Sequence, residues 1–204
     1  MSEIYALSDD VLTPPQTIFS QIDEILRCGV KLVQYRSKLA AQDEALIRSL
    51  ISLCEDYGAK LIINDDAALA KKLGAHGVHI GKDDSETAQV REFLGADKIV
   101  GVSCYADLAR ARQAEAQGAS YVAFGSLRRG KTKPDAPLCP DALVQEARKS
   151  LNLPIAVIGG ISLENLNEIL ALKPDYIAMV EAIYRPASIT QNLANLKEKM
   201  DEYI

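Results

Sequence analysis

The four cysteines, Cys28, Cys54, Cys104 and Cys139, are widely scattered, and no two stand as C-x-x-C. That spacing argues against a disulfide framework or a zinc site and suits a reducing cytoplasm. No apolar run approaches the roughly 20 residues needed to cross a bilayer, so no membrane partner is expected. Met1-Ser2-Glu3-Ile4 lacks the cationic and long apolar regions of a secretory leader. Positive charge is in deficit: 23 Lys and Arg against 28 Asp and Glu leave a net charge of −5. This argues against a nucleic-acid binder that works through overall charge, but not against a local cationic pocket. The two histidines, His76 and His79, form an H-x-x-H, yet strand alternation sends them to opposite faces and spoils them as a metal pair. The eight tyrosines show no stacking pattern.

What is present is a repeated unit. Cys28-Gly29, Tyr57-Gly58-Ala59, Leu73-Gly74-Ala75, Leu94-Gly95-Ala96 and Gln117-Gly118-Ala119 each close a helical pattern just before a β-branched run. Glycine suits the position past a helix because it reaches the left-handed conformation without a Cβ clash. Near the end Lys173-Pro174 takes over that role. Strands are predicted at 4–7, 32–35, 61–63, 78–80, 99–103, 121–124, 155–158 and 176–180. Helices are predicted at 15–28, 43–57, 67–73, 86–94, 106–117, 141–150, 163–172 and 188–203. In the second helix Leu46, Ile47, Leu50, Leu53 and Cys54 form an apolar stripe. Eight strand–helix pairs predict one (β/α)8 barrel domain over residues 1–204, with a doubly wound open sheet as the runner-up. The cationic, proline-bearing stretch 125–140 breaks the pattern and is expected to be a mobile active-site loop.

In a barrel the residues after each strand share one mouth. That gathers Arg36, Lys38, Asn64, Asp65, Asp84, Ser103, Thr132, Lys133 and Gly160. Asp65 and Asp84 could supply the one or two carboxylates Mg²⁺ prefers, with substrate phosphate completing the shell. Aspartate after a strand can equally be only a helix cap. Arg36, Lys38 and Lys133 would neutralise a pyrophosphate. Ile158-Gly159-Gly160-Ile161, before a helix expected to start at Ser162, would bring backbone N–H groups close to a phosphate.

These motifs resemble the thiamine phosphate synthase family across nearly the whole chain. They are Gln34-Tyr35-Arg36-Ser37-Lys38, Ile63-Asn64-Asp65, Gly77-Val78-His79-Ile80-Gly81-Lys82-Asp83-Asp84, Gly101-Val102-Ser103, Thr132-Lys133-Pro134-Asp135 and Ile158-Gly159-Gly160-Ile161. The resemblance implies a barrel transferase that joins hydroxymethylpyrimidine pyrophosphate to a thiazole phosphate, with Mg²⁺ as cofactor. Its partners are small molecules, with self-association left open. Asp65 and Asp84 would be the metal ligands. Residues Gln34, Tyr35, Arg36, Ser37 and Lys38, with Asn64, Ser103 and Lys133, would hold the pyrimidine pyrophosphate. Arg36, Lys38, Ser103 and Lys133 would act in catalysis. Gly130, Lys131, Thr132, Gly160, Val180 and Glu181 would meet the thiazole phosphate. The family's dissociative reaction needs a stabilised leaving group rather than an activated nucleophile, in keeping with the lack of a Ser-His-Asp or Cys-His arrangement.

Three positions depart from the family pattern. Arg129-Gly130-Lys131-Thr132 replaces the usual Pro-Thr-x-Thr, Lys82-Asp83 stands where Gln-Glu is common, and Glu181 occupies the place of a phosphate-binding serine. A carboxylate about 4 Å from a phosphate would cost about 4 kcal/mol per charge at an effective dielectric of 20. Either Arg128, Arg129 and Lys131 supply replacement contacts, or the acceptor is a modified thiazole, or thiamine phosphate is no longer made. A thiazole tautomerase-like paralogue and a non-catalytic precursor-binding protein are the alternative functions.

Overall fold

A computed structural model describes residues 2–39, 41–81, 86–130 and 136–203. Eight parallel strands close into a barrel in chain order. They are β1 (Glu3–Leu7), β2 (Leu32–Tyr35), β3 (Lys60–Asn64), β4 (Gly77–Ile80), β5 (Ile99–Tyr105), β6 (Tyr121–Phe124), β7 (Ile155–Ile158) and β8 (Tyr176–Met179). The helices are α1 (Ile18–Arg27), α2 (Glu44–Asp56), α3 (Ala67–Leu73), α4 (Thr87–Leu94), α5 (Leu108–Ala116), α6 (Asp141–Ser150), α7 (Leu166–Leu170), α8 (Glu181–Tyr184) and α9 (Ile189–Glu202). The (β/α)8 architecture expected from the sequence is therefore present, and β1 pairing with β8 excludes the open sheet. Among the described residues no helix is long and apolar enough to cross a membrane.

Strand alternation divides the core in two. Ile4, Ala6, Val33, Leu61, Ile63, Val78, Val100, Val102, Val122, Phe124, Val157, Ile177 and Met179 face the helices. Tyr5, Leu7, Leu32, Ile62, Tyr121, Ala123, Ala156 and Ala178 fill the barrel interior. Four helices, α2, α3, α5 and α9, start where a short polar side chain satisfies a first-turn amide: Asp43, Asp66, Asp107 and Ser188 accept from Leu46, Leu69, Arg110 and Gln191. On α2 the stripe is buried as read, with Ile47, Leu50, Ile51 and Cys54 inside and Leu46 and Leu53 half-buried. All five glycines of the helix–glycine–strand unit have positive φ, and Lys173 takes the same left-handed conformation at φ 53°.

Candidate active site

Two turns at the carboxyl ends of neighbouring strands form the charged part of the mouth. After β2 the chain is held by β1: Ser8 Oγ accepts from the Arg36 N–H at 2.7 Å and donates to the Arg36 carbonyl at 3.0 Å. Asp10 Oδ2 accepts from the Lys38 N–H at 2.7 Å. These contacts fix where the Arg36 and Lys38 side chains depart. After β3, Asp65 sits at φ 64°, while the next residue, Asp66, caps α3 through the Leu69 N–H at 2.7 Å. Capping is thus assigned to Asp66, which leaves the Asp65 carboxylate to meet Lys38 Nζ at 2.6 Å. With side chains 58% and 36% exposed, that pair sits in water and contributes little to stability. It joins a sequence-predicted pyrophosphate cation to a sequence-predicted metal ligand.

The floor of the mouth is a buried polar chain. Gln34 Nε2 lies 2.8 Å from the Tyr5 hydroxyl, which lies 2.9 Å from the Tyr121 hydroxyl. Tyr121 reaches His79 Nδ1 at 2.8 Å, and His79 Nε2 reaches Ser103 Oγ at 2.8 Å. Tyr121 stacks on His79 and packs edge-on against Tyr5 and Tyr176. Gly101 makes this possible, because a Cβ there would overlap the Tyr121 ring. Burial pushes the His79 imidazole down to about 4, slightly opposed by Asp65, so the ring is neutral at pH 7. His76 lies apart from it, its Nδ1 accepting from the Leu61 N–H at 3.1 Å, as strand alternation requires. Arg110 ties the rims of β4 and β5 together, donating to the Ser103 carbonyl at 2.8 Å and the Gly81 carbonyl at 2.7 Å.

Across the mouth, the segment after β6 lies on the glycine turn after β7. Leu127 and Arg128 donate backbone N–H groups to the Ile158 and Gly159 carbonyls at 2.9 and 3.0 Å. A Cβ on Gly160, at φ 58°, would come within 2.7 Å of the Arg128 and Arg129 backbone, and one on Gly130 within 3.3 Å of the Gly160 nitrogen. Gly130 and Gly160 are therefore neighbours.

Several placements differ from what the sequence suggests. Tyr35, like Val33, faces outward from its strand: it packs among the helix-facing apolar residues, and its hydroxyl donates to Gln42 at 3.1 Å. Ser37 makes a local turn, accepting from the Leu39 N–H at 3.2 Å. Arg128 is no replacement phosphate contact, since its guanidinium grips Asp141 at 2.8 and 2.9 Å and Glu168 at 3.0 Å. The helix expected at Ser162 starts only at Leu166, because Asn165 bonds the Ser162 N–H and the Gly160 carbonyl and holds a turn there. Strand β8 stops at Met179, so Val180 is a helix cap and Glu181 opens the short helix α8. Asp84, Lys131, Thr132 and Lys133, and with the last three the central residues 131–135 of the 125–140 loop, lie outside the described residues.

Gln34, Asn64 and Ser103 face inward on β2, β3 and β5, near Arg36, Lys38 and Asp65 on the turns. Sequence reasoning missed Ser8, Asp10, Arg110 and the Tyr5–Tyr121–His79 chain. The alternation that put His79 opposite His76 was the one available signal for its inward face.

The family model described as thiamine monophosphate synthase (TMP-TENI) matches residues 4–183. The chain belongs to the thiamine monophosphate synthase family. Relatives include the thiamine-phosphate synthase of Nitrosococcus oceani, 44% identical over 190 residues that cover 91% of this chain and 87% of the relative. That of Thioalkalivibrio sulfidiphilus is 40% identical over 183 residues, covering 89% and 87%. Among solved structures, a thiamine phosphate pyrophosphorylase from Pyrococcus furiosus superposes with a TM-score of 0.88 at 26% identity, covering 99% of this chain and 96% of the other. A 3-hexulose-6-phosphate synthase from Salmonella typhimurium, with a TM-score of 0.74 at 19% identity, shares the fold alone. In this family member the β2–β3 side of the mouth carries Arg36, Lys38 and Asp65, and Glu181 follows β8.

Proposed function

We propose that this chain is a transferase that joins hydroxymethylpyrimidine pyrophosphate to a thiazole phosphate, releasing pyrophosphate and thiamine phosphate. The observation that carries the reading is the Lys38–Asp65 pair at the mouth, 2.6 Å apart and open to solvent. A cation and a carboxylate so placed can exchange each other for a pyrophosphate and a divalent metal with little energetic loss.

Bond making and breaking need no proton transfer. The bond from the pyrimidine methylene to the pyrophosphate oxygen breaks, and the thiazole nitrogen then forms the new bond to that carbon. Negative charge grows on the leaving pyrophosphate, so fixed cations lower the barrier. Arg36 and Lys38 supply these from the turn braced by Ser8 and Asp10. Lys133 is assigned the same role on its motif. Gln34, Asn64 and Ser103, inward on three strands, are assigned to the pyrimidine pyrophosphate, with Ser37 on the turn. Gly130, Lys131, Thr132, Gly160, Val180 and Glu181 are assigned to the thiazole phosphate.

The donor set suits Mg²⁺, which takes oxygen ligands and is satisfied by one or two carboxylates plus substrate phosphates. Asp65, freed from capping by Asp66, would hold it with Asp84. When bound, the ion supplies further positive charge to the pyrophosphate oxygens. The four cysteines are all unpaired, which supports a cytoplasmic setting.

The test is incubation of the protein with both substrates and Mg²⁺, following thiamine phosphate and pyrophosphate. Equal amounts of the two are expected. Isomerisation of the thiazole without pyrimidine would instead make the chain a tautomerase, and binding of both ligands without turnover would make it a binding protein. Glu181→Ser tests the altered side: a lower KM for the thiazole phosphate is expected, and an unchanged one removes Glu181 from the acceptor pocket.

A further inference from the structure

We infer that Tyr5, Tyr121 and His79 are positioning residues that couple the hydrogen-bonding sense of Gln34 to that of Ser103 across the barrel floor. The coupling follows from counting protons. Four links join five side chains in series: Gln34–Tyr5, Tyr5–Tyr121, Tyr121–His79 and His79–Ser103. Each link needs one hydrogen. The three interior members, two phenols and one neutral imidazole, carry one each, so one more must come from one end only.

Two ordered states result. Either Gln34 donates and every proton points toward Ser103, whose own hydroxyl hydrogen is then released to the mouth. Or Ser103 donates, the order reverses, and Gln34 offers its oxygen to Tyr5. A break in the order would bury a polar group without a partner, which costs the full desolvation of that group. Tyr5 and Tyr121 are 1% and 2% exposed and Gln34 is 2% exposed, so water does not repair such a break readily. The Gln34 amide nitrogen faces Tyr5, which selects the first state. His79 is then protonated on Nε2, and Ser103 is left as a donor while the Gln34 oxygen is left as an acceptor.

That polarity has a use under the reading of the site proposed above, on which it rests. Phosphate oxygens and aromatic ring nitrogens are acceptors, and the amine of an aminopyrimidine is a donor. The chain thus presents Ser103 to an acceptor and Gln34 to a donor at the same time. The reversed order would turn Ser103 lone pairs toward an anion.

The experiment is nitrogen-15 NMR of the ligand-free, full-length protein at neutral pH, where ring nitrogens with and without a proton resonate far apart. The chain has two histidines, and His76 serves as the reference because its Nδ1 accepts from Leu61. Wild type is expected to carry the His79 proton on Nε2. Ser103→Ala removes the acceptor for that proton, so the order should reverse and the proton should move to Nδ1. Adding Tyr5→Phe leaves the Tyr121 hydroxyl no partner except His79, so the reversal should be blocked and the proton should stay on Nε2. Tyr5 does not hydrogen-bond His79, so a merely local role for it would leave the double variant like Ser103→Ala. An Nδ1 proton in wild type, an unmoved tautomer in Ser103→Ala, or no effect of adding Tyr5→Phe overturns the inference.

Kinetics separate it from the function itself. Tyr5→Phe alone should raise KM for the pyrimidine pyrophosphate about tenfold and leave KM for the thiazole phosphate unchanged. An unchanged pyrimidine KM overturns the link to recognition. A wild-type protein without any transferase activity defeats the proposed function, while the tautomer results still decide the coupling.

Discussion

Acid should destabilise this fold through His79 in a way that can be isolated. The ring is held near 4 in the folded chain, against 6.5 for an unperturbed histidine, because it is buried among phenols and a serine. At pH 7 the folded chain holds it neutral and the unfolded chain mostly so, and its proton-linked contribution is small. As the pH falls below 6.5 the unfolded chain takes up a proton that the folded chain refuses, so stability drops until the folded ring also titrates near 4. At pH 4.5 the difference amounts to about 2.5 kcal/mol. His79→Gln retains a donor and an acceptor but cannot titrate. Urea unfolding of both proteins at pH 7 and pH 4.5 cancels the carboxylates common to the two. Wild type should lose about 2.5 kcal/mol more than the variant on acidification. Equal losses would mean that His79 protonates as easily inside the barrel as outside it, and the buried chain as described would be wrong.

Other consequences concern packing and the two ends of the mouth. Gly101→Ala should lower stability by about 1–3 kcal/mol, read as a reduced Tm, since the added methyl meets the Tyr121 ring; an unchanged Tm would remove Tyr121 from that position. Lys38→Ala should shift stability by less than about 1 kcal/mol yet raise KM for the pyrimidine pyrophosphate at least about tenfold, the reverse pattern marking a structural pair. Arg128 holds the segment after β6 through Asp141. Asp141→Asn and Arg128→Met should therefore raise KM for the thiazole phosphate together. An effect of Arg128→Met alone would mean that the guanidinium meets the phosphate directly.

Much of the barrel was legible in the chain because each short apolar run ends abruptly. The runs 32–35, 121–124 and 155–158 match β2, β6 and β7 end to end, and 67–73 and 141–150 match α3 and α6. Five glycines announced the helix ends, where a left-handed residue is a local requirement. The charged half of the mouth was legible for a similar reason, since strand ends of a barrel converge whatever the details. Which of two adjacent aspartates caps a helix was not, because Asp65 and Asp66 are chemically alike and only backbone conformation separates them. The late start of α7 turns on a single Asn165 side chain that bonds back to the turn. Least legible was the polar floor. Tyr5, His79 and Tyr121 lie on β1, β4 and β6, and only closure of the barrel and the space above Gly101 bring them together.

The most direct test of the active site is turnover of wild type against Asp65→Ala, with both substrates and a range of Mg²⁺ concentrations. Thiamine phosphate and pyrophosphate should form in equal amounts with wild type and fall by at least about a hundredfold with the variant, whose Tm should stay within a few degrees of wild type because the Lys38–Asp65 pair is exposed. Full activity in Asp65→Ala would contradict the assignment of this mouth as the place where pyrophosphate is held and released.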